Sequence, residues 1–134
     1  MSMRSYCFAA VVFFLGACHH SVLDDPAATL DEKLTALGFR QGEKVEQAWR
    51  YDFDGWQFLD NRHIVLGRWP SRSYLIEFSN ECRMKSSSRI GYSTTVGNLS
   101  RFDQIFFSDT GNIPEFCRIG EIYRLEKANQ PARN

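Results

Sequence analysis

Long hydrophobic runs, blocks of like charge, proline and histidine are all scarce in these 134 residues, which hold 4 prolines and 3 histidines. The longest apolar stretch, Tyr6 to Leu15, falls well short of the ~20 residues that a membrane-spanning helix needs. Basic and acidic residues balance at 16 each and no basic run stands out, which argues against nucleic-acid binding and against long-range steering of a charged partner. Cysteine is scarce too, with 4 in the chain and no Cys-x-x-Cys pair, so thioredoxin-like and zinc-ribbon frameworks are excluded. There is no internal repeat, no low-complexity segment and no Gly-x-Ser-x-Gly elbow of the kind that carries a hydrolase serine.

The N-terminus is more informative. Arg4 precedes the apolar stretch, small residues follow it, and His19 and His20 end it. Charged head, short apolar segment and small-residue end are the layout of an export signal. Leu15-Gly16-Ala17-Cys18 resembles the lipobox of bacterial lipoproteins. The resemblance implies a signal peptide over residues 1–17, a diacylglycerol on the Cys18 sulfur and a lipid-anchored product, with ordinary cleavage and release as the alternative. Acyl chains anchor through about 0.8 kcal/mol per buried methylene. In lipoproteins of this kind an Asp after the cysteine often signals inner-membrane retention. His19 stands there instead, so the expected address is the periplasmic face of the outer membrane. Export cleavage would remove only Arg4 among the charged residues, leaving a nearly neutral domain.

Cys7 lies in the signal segment and Cys18 takes the lipid, which leaves Cys82 and Cys117. In an oxidising compartment the simplest use of an even pair is a disulfide; a redox or metal site is the competing use. Residues 18–28 read as a tether, 29–127 as one domain and 128–134 as a frayed tail. Thr29-Leu30-Asp31-Glu32 has the pattern of a capping box, and Leu30, Leu34 and Leu37 share a helical face that Gly38 ends. After Gly42 the period changes to two, through Val45, Gln47, Trp49, Tyr51 and Phe53. Further strands are expected at Trp56–Phe58, His63–Leu66, Ser73–Phe78, 89–96, 103–107 and 117–125. Turns are expected at Asp54-Gly55, Asn61-Arg62, Trp69-Pro70-Ser71 and Gly97-Asn98, with a loop over 80–88. The fold class that follows is mainly β: a small antiparallel barrel or sandwich of six to seven strands with one short N-terminal helix.

Candidate chemistry is sparse. Asp52-x-Asp54-Gly55 with Asp60 opens like a calcium loop but lacks the later ligands, so turn capping explains it better. The three histidines do not cluster, and no metal or other cofactor is expected. His63 would need a serine and an acid brought to it by folding to act as a catalytic base. Trp56, Arg62, Trp69, Arg72 and Tyr92 combine aromatics with arginine near turns, the composition of interaction hot spots, and are the candidate binding residues. Arginine stems covering apolar edges would give the same composition.

From Gly55-Trp56 onward the chain resembles a family of small, uncharacterised exported proteins of proteobacteria. The matching residues are Trp56, Leu59-Asp60, Arg62, Val65-Leu66, Pro70, Tyr74-Leu75, Cys82, Ile90, Arg101-Phe102-Asp103, Cys117-Arg118-Ile119 and Glu121-Ile122. The chain departs from the family at Gly67-Arg68-Trp69-Pro70, where an aromatic is expected closer to Leu66. The resemblance covers about the C-terminal two thirds, fits the paired cysteines and supplies no catalytic residues. The expected function is therefore a membrane-anchored, non-enzymatic interaction module that meets an envelope protein or the cell wall. A small-ligand-binding β-barrel with Trp56, Trp69 and Tyr92 at its mouth is the alternative, and a hydrolase the third possibility.

Overall fold

The computed structural model describes residues 21–49, 55–69, 72–94, 97–109 and 113–129. Leu15-Gly16-Ala17-Cys18, Cys7, His19, His20, Asp52 and Asp54 lie outside them. Among the described residues a one-turn 3-10 helix (Val22–Asp24) and α1 (Leu30–Ala36) precede nine strands. These are β1 (Phe39–Val45), β2 (Gln47–Trp49), β3 (Trp56–Asp60), β4 (His63–Leu66), β5 (Tyr74–Phe78), β6 (Arg89–Ser93), β7 (Asn98–Ser100), β8 (Gln104–Ser108) and β9 (Glu115–Lys127).

Helix α1 begins at the capping box read from sequence. The Glu32 amide donates to the Thr29 hydroxyl at 3.2 Å, and the Thr29 amide donates to the Glu32 carboxylate at 2.8 Å. Each bond satisfies an amide that the first helical turn cannot. The helix ends before Gly38, whose φ of 83° a side chain would strain. Residues 21–28, read as a tether, contain the 3-10 turn, and its Leu23 packs beside Leu30 and Leu37 of the helix region.

The expected mainly β architecture is present as a curled antiparallel sheet forming half a barrel. The main path runs β3-β4-β5-β9-β8-β6, and β1 is also paired to β9. Strand β9, 13 residues long, is the spine. One of its edges takes β5; the other takes β8 along residues 115–118 and then β1 along 122–127. Register slips between Glu77 and Phe78 and between Gln41 and Lys44 bend these pairings, as bulges do, and help curl the sheet.

Period-two alternation explains the two cores. Ile64, Ile76 and Ile122 stand in register across β4, β5 and β9 on the inner face. They join Phe78, Ile105, Phe107 and Ile119 in the larger cluster. The alternate residues Val65 and Leu75 face outward, and Leu34 of α1 packs with them in the second cluster. The leucine stripe of the helix therefore covers the outer face of this half of the sheet, which an isolated two-turn helix needs for its own stability. Strands β2 and β7 form a separate two-stranded ribbon whose Ala48 and Leu99 are fully buried in the inner cluster.

Two local expectations are corrected. The first strand starts at Phe39, before Gly42, and Glu46 separates β1 from β2, because Phe39 packs outward with Leu34 while Ala48 packs inward. The strands expected at 89–96 and 103–107 do pair, as β6 with β8, but Gly97-Asn98 is not the tight turn between them. Asn98 begins β7, which pairs with β2 in a separate ribbon. Burial of Leu99 outweighs the local turn signal. Among the described residues no helix is long and apolar enough to cross a membrane.

Candidate functional site

One end of the half-barrel is organised by the segment between β5 and β6, the loop expected over 80–88. A disulfide joins Cys82 to Cys117 across a sequence separation of 35, with Cα atoms 5.9 Å apart. The Cys82 amide donates to the Asn61 carbonyl at 2.7 Å and the Arg83 amide to the Glu115 carboxylate at 2.9 Å. The Ser88 hydroxyl accepts from the Lys85 amide at 3.0 Å and donates to Asp109 at 2.7 Å. The loop is thus fixed to β9, to the β3–β4 turn and to the end of β8. Glu115 lies beside the two sulfurs, but with those sulfurs joined there is no thiolate to ligate a metal.

Two clefts flank this loop and share Asn61, Met84 and Lys85. One, of about 500 Å³, is lined further by Arg83, Phe107, Ile113 and Glu115. The other, of about 550 Å³, opens toward the N-terminal turn and is lined by Leu23, Asp24, Lys33 and Phe58 among others. Between strands β3 and β4, the His63 Nδ1 lies 2.9 Å and 3.0 Å from the two Asp60 carboxylate oxygens, and Glu77 lies 3.9 Å from Nε2. Burial disfavours the charged form of Asp60. The hydrogen bonds from His63 and from the Arg62 amide, with the His63 charge, outweigh that effect and hold the carboxyl below the usual range. Asp60 also accepts from the Arg62 amide at 2.7 Å, so it caps the β3–β4 turn while it aligns the His63 ring.

The candidate binding residues are not gathered in either cleft. Trp56 packs at 5.4 Å on Phe107, half-buried against the inner cluster. Tyr92 packs on the same cluster, and burial pushes its hydroxyl up to about 12. Trp69 is 64% exposed. Arg62 donates to the Phe78 carbonyl at 3.3 Å beside Glu77, and Arg72 is exposed. The residues that do line the clefts, Lys33, Met84 and Lys85 among them, were not singled out by sequence reading. Lys33 carried a usable signal, since it lies three residues after Leu30 and hence on the apolar side of α1.

A second surface feature lies on the outer face of β6, β8 and β9, the half of the sheet that α1 does not cover. Gly91, Phe106 and Phe116 are in register across the three strands. The Phe106 ring lies over Gly91, where a Cβ would come within 2.1 Å of it, and 5.7 Å from the Phe116 ring. Phe116 is 61% exposed. An aromatic laid over a cross-strand glycine replaces the side chain that strand lacks.

A family of unknown function, DUF6491, matches residues 1–133. No curated protein and no solved structure matches the chain.

Proposed function

This chain belongs to DUF6491, a family of unknown function, and we propose that it is an envelope lipoprotein whose β-domain serves as a non-enzymatic interaction module. The carrying observation is the Gly91–Phe106–Phe116 row: an aromatic surface left open on a sheet whose other outer half is closed by α1. Exposed apolar patches on a small domain mark contact surfaces, and phenylalanine pairs supply large contact area with defined geometry. The partner is another protein of the envelope, met face to face by β8 and β9.

The anchor half of the proposal rests on Leu15-Gly16-Ala17-Cys18. Val22, where the 3-10 turn starts, is four residues beyond Cys18, so a lipid on that cysteine would keep the turn within about 14 Å of chain from the membrane surface. Intact mass spectrometry of membrane-extracted protein tests this. A mass for cleavage before Cys18 plus acyl chains is expected, and an unlipidated mass overturns it. For the module, a photo-crosslinking residue at position 116 should yield a discrete adduct in intact cells, lost on Phe106→Ser. Equal adducts from a probe at Arg72, on another exposed stretch, would sink the reading.

A further inference from the structure

Lys33 lies on the buried side of α1 and is only 5% exposed. Its ammonium donates to the Leu59 carbonyl at 2.6 Å, the one hydrogen bond it makes among the described residues, and no carboxylate there pairs with it. Leu59 has a carbonyl to offer because it is the extra residue of a bulge, between the cross-strand pairs Phe58–Ile64 and Asp60–His63. An ammonium has three donors and a charge whose burial is costly without a counter-charge. One carbonyl meets a third of that capacity. The same side chain lines the cleft of about 550 Å³ between the N-terminal turn and the disulfide-tied loop, a volume within the range of small-molecule sites.

We propose that this cleft binds a small amphiphilic monocarboxylate, its carboxylate held by Lys33 and its apolar body lying against Leu23, Phe58 and Met84. The charge count sets the class. Lys33 lacks an anionic partner, so a cationic head is repelled and a neutral one leaves the ammonium uncompensated. Asp24 and Asp60 line the same cleft, and Asp60 is already held by His63 and the Arg62 amide. A dianionic phosphate would set a second negative charge against these carboxylates, whereas a single carboxylate matches the one open cation. The bound anion also completes the coordination of an ammonium that ties α1 to the edge of β3, so ligand binding should stiffen that contact. This site is separate from the Phe116 face and does not depend on what that face binds.

Methionine provides the reporter, because the chain has only Met1, Met3 and Met84. The full chain, labelled at the methionine methyl groups with carbon-13, is titrated with sodium hexanoate and followed by NMR. The expected result is a saturable shift of the Met84 signal, with hexan-1-ol and hexylammonium at least about tenfold weaker. Lys33→Gln, whose amide can still donate to the Leu59 carbonyl, should weaken hexanoate by about tenfold or more. If that variant fails to fold, Ser87→Trp, at an exposed position on the loop side of the cleft, should abolish the saturable shift. No Met84 response to hexanoate, an equal response to hexanol, or binding that survives these substitutions overturns the proposal.

Discussion

Removing the Cys82–Cys117 link by a double substitution to alanine probes the feature that both clefts depend on. In the chain-entropy relation, releasing a loop of 35 residues restores about 13 cal/mol/K to the unfolded chain, or about 4 kcal/mol at 25 °C. A domain of this size is held by only about 5–15 kcal/mol in total, so the effect is large. With a urea slope of about 1.5 kcal/mol per molar, the unfolding midpoint should fall by between about 2 and 3 M. The assay is urea unfolding followed by circular dichroism, on the oxidised parent, the reduced parent and the double variant. The last two should agree, because both lack the cross-link. Hydrogen bonds from Cys82 to Asn61, Arg83 to Glu115 and Ser88 to Asp109 remain available to hold the loop in the folded state. The native fold should therefore survive and only its margin shrink. A midpoint change corresponding to less than about 1 kcal/mol would refute the reasoning, since the unfolded chain would then gain little freedom from the broken loop.

Three further outcomes follow from the packing and the titrating groups. Ile76→Ala, at the centre of the Ile64–Ile76–Ile122 row and fully buried, should cost about 3 kcal/mol by denaturant unfolding. Gly91→Ala should cost about 1 kcal/mol, because a Cβ 2.1 Å from the Phe106 ring forces that partly exposed ring aside, and Phe106→Ala should remove most of the penalty when combined with it. Spectrophotometric titration should show a late tyrosine component at about 12 that Tyr92→Phe removes. Its folded value lies above the unfolded value near 10, so the neutral form is the one folding favours. That contribution is complete below about pH 10 and is lost as pH rises through about 12, a decline of about 3 kcal/mol that Tyr92→Phe should abolish.

Much of the architecture was legible in the residues. The cap at Thr29, the stop at Gly38, the turn at Asn61-Arg62 and the cysteine-bearing loop are local patterns, governed by neighbours a few positions apart, and all appear in the structure. Alternation marked most of the strands for the same reason. It failed at Gly97-Asn98, where a good local turn signal yielded to the burial of Leu99 against Ala48. The clefts were not legible, because one arises between the N-terminal turn, β3 and the 80–88 loop and the other between that loop, β8 and β9, segments far apart in the chain. The candidate residues Trp56, Arg62, Trp69, Arg72 and Tyr92 share a composition but not a place.

Residue pattern marked the class of most segments, since helix caps, turn residues and a period of two act within a few residues of themselves. It also singled out Cys82 and Cys117, the two cysteines that lie beyond residue 18, as a pair. Pattern could not say what covers a face. Val65 with Leu75 and Phe106 with Phe116 alternate alike along their strands, yet α1 closes the first pair and leaves the second open. The double edge of β9, the ribbon of β2 with β7 and the burial of Lys33 depend on contacts between distant segments. Those contacts are fixed by three-dimensional packing, which sets where apolar surface is removed from water and which charges are left without a partner.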